Sequence, residues 1–491
     1  MSFYLYIILG YVLILAAFNI YRAKKVKSQE DFMVAGRSVK TWVMVFTLIC
    51  TWIGSGTFIA GAELASKAGF SAIWMPAGAF FGIIFIYFLA AKVRTFGQYT
   101  IGDILEERYG PLARLIGSIA IIISFTATVS YQFVAGGFIL NVSTDGAISE
   151  STGIIIAGTF VVLFTALAGM MAVVYTDLPN GIVIVLACLL SLPFVYIAAG
   201  GLQTAKQALP PSYFAVVNEQ FGAHPAFKLG GYFLANLVLL MGVQSMYQKL
   251  FSAKTPRGAK TAVIFWTIGT ILIESVVVCI AVFAYSKLKG EINLSVPKEG
   301  GKVVIMAARK LVPAPVGVLL LGAACAVVIS TSMNYLLSSS TNIIRDLYQR
   351  FLRREERQSH LVALQRISVV AIGVLAFILA TRLTSVLQTA IFAYTIYGVA
   401  ITPALVAALV WRRATKVGGM ASIIGGTTVA LFLRIMVEVL PPSRVIEGDP
   451  WGIPIIYPAL LVSLIALIAG SMLTKKPEPD KLKKFFPERT E

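Results

Sequence analysis

The chain has 491 residues, 58% of them apolar and only 13% charged, with a formal net charge of +18. That charged share is about half the ~25% of a soluble globular protein, and apolar runs of about 20 residues recur along the chain. Soluble, disordered, collagen-like and disulfide-scaffold classes are excluded, and the basic balance speaks for membrane topology rather than for a nucleic-acid partner.

The pattern is that of an all-α polytopic membrane protein in a lipid bilayer. Thirteen spans are expected, the first at 3–21, followed by 41–62, 70–91, 112–140, 153–172, 176–199, 229–247, 261–285, 316–344, 367–380, 386–411, 421–439 and 453–472. Alternate loops carry most of the 41 Lys and Arg. They include Arg22, Lys24, Lys25, Lys27, Arg37 and Lys40, then Lys249, Lys254, Arg257 and Lys260, then the arginines between Arg345 and Arg366, and the tail from Lys475 to Arg489. The positive-inside rule then sets the C-terminus in the cytoplasm and, with an odd number of spans, the N-terminus outside, as in a multi-pass protein of the plasma or inner membrane. Between spans, the stretch 100–109 (TIGDILEERY) has the pattern of a short amphipathic helix at the membrane surface.

The second span contains TWIGSGT (51–57), where Gly54 and Gly56 flank Ser55 near mid-membrane. Hydroxyls beside helix-weakening glycines suit an unwound segment with free carbonyls; small residues also suit close helix packing, and this stretch alone leaves both readings open. Asp177 opens the sixth span, either as a helix cap or as a functional acid. The seventh span carries Asn236 and then MGVQ (241–244), a second glycine-interrupted, polar-spotted helix. Two weak helices in matching halves are the sequence pointer to an inverted-repeat transporter. Glu274 lies mid-span in the eighth helix, as a coupling or structural charge, and Arg434 in the twelfth. The ninth span ends in AVVISTSMN (326–334), whose consecutive hydroxyls suit a hard cation that takes oxygen ligands, such as sodium. No nucleophile–base pair, phosphate loop or Cys/His cluster stands out, so an enzyme and a bound cofactor are not expected.

Several stretches together resemble the sodium:solute symporter family: DFMVAGR (31–37), IGSGT (53–57), IGDILEERYG (101–110), VYTD (174–177), YQK (247–249) with SAK (252–254), and Ser330, Thr331 with DLY (346–348). The resemblance implies a leucine-transporter-like fold: an inverted five-helix repeat over 41–199 and 229–411, an extra N-terminal helix within 1–40, and extra C-terminal helices with a basic tail over 412–491, all in one membrane domain. It implies sodium as the coupling ion, held by the carbonyls of Cys50, Ile53 and Val327 and the hydroxyls of Ser330 and Thr331, with Asp177 as an acid linked to coupling. A second ion site of some members would need hydroxyls where this chain has Met333 and Asn334, so one sodium per cycle is expected. Solute is expected beside Trp52, Gly54, Ser55, Thr57, Tyr131, Asn236 and Gln244. Sugar carriers of the family have Glu and Gln where Pro76 and Thr57 stand here. The stretches at 51–54 and 432–435 resemble the choline carriers, but few aromatics are placed to cage a quaternary ammonium. The expected activity is sodium-driven symport of a small amino acid or carboxylate by alternating access. A choline-like cation or sugar carrier, a proton-coupled carrier, and a transport-inactive channel or sensor are the alternatives.

Overall fold

The computed structural model describes residues 3–23, 29–296, 298–352, 357–446 and 448–486. Of the loop cations expected to set topology, Lys24, Lys25, Lys27, Arg353, Arg354 and Arg489 lie outside the described residues. The fold is an all-helical bundle; its one sheet among the described residues is a two-stranded pair at Val445–Ile446 and Asp449–Pro450. Ten helices among the described residues are long and apolar enough to cross a membrane. Phe3–Ala23 and the shorter apolar helices Thr41–Trp52 and Ile456–Met472 stand beside them.

Local chemistry starts the helices where the sequence changes character. Hydroxyls of Ser149, Thr255, Ser385 and Thr415 accept from the third backbone N–H beyond them, which satisfies a donor the helix itself leaves free. Pro111, Pro225 and Pro256 occupy first turns, where the missing N–H costs nothing. Burial sorts the spans into layers. The most apolar window of Val386–Val410 is 89% buried and that of Ala314–Leu352 72%, whereas that of Lys416–Val439 is 22% buried. The first two are central and the last is peripheral.

Two helices are interrupted at mid-bundle. Thr41–Trp52 ends at Ile53, which is extended (φ −68°, ψ 96°), and the chain resumes as a π-helix over Gly56–Gly61. Pro225–Gly242 ends at extended Val243 (φ −68°, ψ 120°) before Gln244–Ser252 begins. At this second break Tyr397 Oη donates to the carbonyl of Gly242 (2.9 Å) and accepts from the N–H of Gln244 (2.8 Å). One side chain thus serves both groups that the break would orphan.

Three expectations need correction. The fifth and sixth spans are separated by a kink and not by a loop: Gly169 takes φ 63°, ψ 179° inside Glu150–Ala198. The Phe32 ring packs so closely there that a Cβ would approach Phe32 Cδ2 to 2.7 Å, so a glycine is required on both counts. The helix Ile101–Tyr109 does not lie exposed on the membrane surface: Ile101, Asp103, Ile104, Leu105, Arg108 and Tyr109 are all buried, and Asp103 and Glu106 pair with Arg114 while Glu107 pairs with Lys484. Lys249, expected among the loop cations, is inside Gln244–Ser252 and fully buried.

Candidate functional site

The first break leaves the last carbonyls of Thr41–Trp52 without helical partners. Across from it runs Ala314–Thr341, with Ser330 and Thr331 buried on the facing side. Thr331 Oγ1 lies 3.2 Å from the Cys50 carbonyl oxygen and 3.4 Å from that of Ile53, and Ser330 Oγ lies 3.4 Å from the Cys50 oxygen. Oxygens at right angles about a hard cation at ~2.4 Å stand about 3.4 Å apart, so this spacing suits shared coordination better than direct hydrogen bonding. Val327 is buried one helical turn before Thr331.

Asp177 sits directly behind this cluster, fully buried. Its Oδ1 accepts from Ser330 Oγ and its Oδ2 accepts from Thr47 Oγ1. Lys249 Nζ donates to Thr47 Oγ1 (2.7 Å) and to Asp177 Oδ2 (3.3 Å). Cys50 Sγ donates to the Asp177 carbonyl at 3.2 Å. The Ser330 proton is thereby committed to the carboxylate, which leaves the hydroxyl lone pairs for an ion. Asp177 is not acting as a cap, since it bonds across three other helices. Sequence reasoning missed Thr47 and Lys249 as partners of Asp177; Lys249 lies among polar residues (QSMYQKLFS, 244–252), so it reads as a loop cation.

A second cluster lies on the far side of the break. A small cavity of about 20 Å³ is lined by Trp52, Gly56, Thr57, Met75, Pro76, Asn236, Glu274 and Tyr394, among others. Glu274 Oε1 accepts from Trp52 Nε1 (3.2 Å) and Thr57 Oγ1 (2.9 Å). Tyr131 Oη and Tyr394 Oη are 3.2 Å apart. At this volume the space holds about one water and no organic solute.

Of the residues expected beside solute, Trp52, Thr57 and Asn236 line this cavity. Tyr131 stands behind Tyr394, Gly54 packs on Gln132 and Thr331, and Ser55 is held through its N–H (3.1 Å) and hydroxyl by Gln132 Oε1. Gln244 does not line the cavity: its Oε1 accepts from the Ile101 N–H (3.2 Å) and its Nε2 donates to Asn342 Oδ1. The helix restarts after Val243 in a register that turns Gln244 toward these neighbours. Tyr394 and Gln132 were missed, since nothing marks them in the sequence apart from the break they serve. A larger cavity of about 350 Å³ lies elsewhere, among Lys228, Arg382, Gln388, Arg434 and Asp449, and none of the expected site residues lines it.

Two interrupted helices meeting a hydroxyl-rich third helix in the centre of an all-helical bundle define a secondary transporter. The model of the sodium:solute symporter family matches residues 32–426, and the chain belongs to that family. It is a multi-pass membrane protein that couples sodium to symport of a small solute, and it is not an enzyme. The osmoregulated proline transporter OpuE of Bacillus subtilis (strain 168) is 26% identical, over 97% of this chain and 96% of its own. The sodium/pantothenate symporter of Escherichia coli (strain K12) is 27% identical, over 94% and 95%. Among solved structures, a Na+-coupled sialic acid symporter in a substrate-bound outward-open state shares the fold with a TM-score of 0.79 at 15% identity, over 97% of this chain and 98% of that one. A nucleobase-cation-symport-1 family transporter in a closed conformation has a TM-score of 0.60 at 13% identity, over 92% and 97%.

Proposed function

We propose that one sodium ion binds between the carbonyls of Cys50, Ile53 and Val327 and the hydroxyls of Ser330 and Thr331. The observation that carries this is the approach of Thr331 Oγ1 to two carbonyls freed by the break, at 3.2 and 3.4 Å. Asp177 aligns the Ser330 hydroxyl for the ion, and the Lys249 ammonium offsets the Asp177 charge. The empty site is then close to neutral, and the loaded site carries one positive charge. Met333 and Asn334 in place of further hydroxyls agree with a single ion. One charge crossing 100 mV yields about 2.3 kcal/mol, and a tenfold sodium gradient adds about 1.4 kcal/mol. Together they support solute accumulation of several hundred-fold.

The solute is an amino acid or a small carboxylate, as with the proline and pantothenate carriers among the relatives, and it binds in the cavity beside Trp52, Thr57 and Asn236. Sodium clamps the first broken helix to Ala314–Thr341, the solute fills the expanded cavity, and the two repeats, 41–199 and 229–411, rock about the site. The full count is thirteen spans, with the N-terminus outside and the C-terminus in the cytoplasm. Uptake into proteoliposomes at constant pH tests the ion: solute entry driven by an imposed sodium gradient supports the reading, and entry driven only by a pH gradient overturns it.

A further inference from the structure

We propose that Glu274 is the anchoring group of the solute cavity and restricts the carrier to solutes bearing an ammonium group. The inference rests on the solute site proposed above and narrows its class, because it removes carboxylates that lack an amine. Glu274 is 4% exposed, at the middle of Pro256–Leu288, and lines the cavity at the break. Its Oε1 is occupied by Trp52 and Thr57, while Oε2 is buried with no hydrogen-bond partner. Among the described residues no Lys, Arg or His pairs with it, and none lines this cavity. A buried carboxyl group either holds a proton or pairs with a cation, and one whose second oxygen faces a solute cavity without a partner gives an ammonium group a place to bind.

The rest of the lining agrees. Trp52 and Tyr394 put two electron-rich rings beside the carboxylate, and such rings attract an ammonium. A solute with a carboxylate and no amine brings its charge against Glu274, and no Lys, Arg or His lines the cavity to offset it. Trp52 and Thr57 orient Glu274 through the same stretch that forms the ion site, so sodium binding and solute anchoring share one segment of backbone.

The test uses the full-length protein in nanodiscs, with thermal stability read against sodium alone and then against sodium plus L-proline, glycine betaine, choline, pantothenate or galactose. The expected result is stabilisation by at least one of the three ammonium-bearing probes and none by pantothenate or galactose. Glu274→Gln keeps the volume and an Oε1 acceptor for Trp52 and Thr57. It should weaken the bound probe about tenfold or more, the scale of losing a hydrogen-bonded charge contact, and leave the sodium-only shift as in the wild type. Glu274→Asp, which keeps the charge, should retain the ammonium preference at lower affinity and covers the case in which the glutamine variant fails to fold. Stabilisation by pantothenate, no response to any ammonium-bearing probe, or wild-type affinity in Glu274→Gln overturns the proposal. Loss of the sodium-only shift in the wild type would instead remove the underlying ion site, so the two failures are separable.

Discussion

Thr331 offers one hydroxyl to two backbone oxygens, and that economy makes it the most informative single position in the ion site. In Thr331→Ala the carbonyls remain but one ligand is gone, a loss of about 1.5 kcal/mol. The sodium concentration for half-maximal uptake should rise about tenfold, with protein yield unchanged; an unaltered sodium dependence would deny the ion this position. The Asp177–Lys249 pair makes a different kind of contribution. Both side chains are removed from water, so deleting one leaves the other as an unpaired buried charge, at a cost of about 3–5 kcal/mol. Lys249→Met and Asp177→Asn should each lower the unfolding temperature in detergent, and the double variant should recover much of the loss. Strict additivity of the two effects would show that the groups are not energetically coupled.

Secondary elements decide what those residues can reach. The breaks near residues 54 and 243 were legible because their causes are local: glycines, hydroxyls and an interrupted apolar run lie within a few positions of each other. The kink at Gly169 was not, since the ring that enforces it comes from Phe32. Gln244 looked like a solute ligand by type and position, but its direction follows from the restarted helix and from partners at Ile101 and Asn342 that are remote in sequence. Tyr394 was invisible for the same reason. Its hydroxyl comes so close to Gly56 that a Cβ there would stand 2.3 Å away, with the ring carbon beyond it at 3.6 Å. Gly56→Ala should therefore displace Tyr394 and reduce solute uptake severalfold, while Thr331 and the ion site, on the other side of the break, keep their sodium dependence. Removing the hydroxyl as well, in Gly56→Ala with Tyr394→Phe, leaves ordinary van der Waals contact and should restore uptake. Failure of that rescue would place the damage in the π-helical backbone of Gly56–Gly61 instead.

At the scale of the molecule, transport requires that one end of the bundle be closed while the site is loaded, and an ionic network joins three elements at one end of it. Arg114 reaches Asp103 and Glu106, each at 2.8 Å, and Asp346 at 2.5 Å. Thr100 and Ser118 donate to Asp346, and Arg350 reaches Glu106 at 2.6 Å. These contacts tie Ile101–Tyr109 to Pro111–Ser143 and to Asn342–Leu352, and any separation of these three elements would break them. Burial works against the Glu106 charge, yet hydrogen bonds from Arg350 and Arg114 outweigh it and hold the carboxyl below the usual carboxylate range. A lowered folded-state value means that the contribution of Glu106 is present at neutral pH and is lost only as pH falls through that value, below the ordinary glutamate range of about 4.3. The Glu106 contacts should accordingly persist from roughly pH 8 to 5. Cys50, a free and fully buried thiol beside the proposed ion site, reports on it. In a variant retaining Cys50 as its single cysteine, Glu106→Gln should speed alkylation from the face that carries the network severalfold at neutral pH, and sodium should slow it. Labelling that stays at the background rate in Glu106→Gln would mean that the network braces the folded bundle without controlling access to its centre.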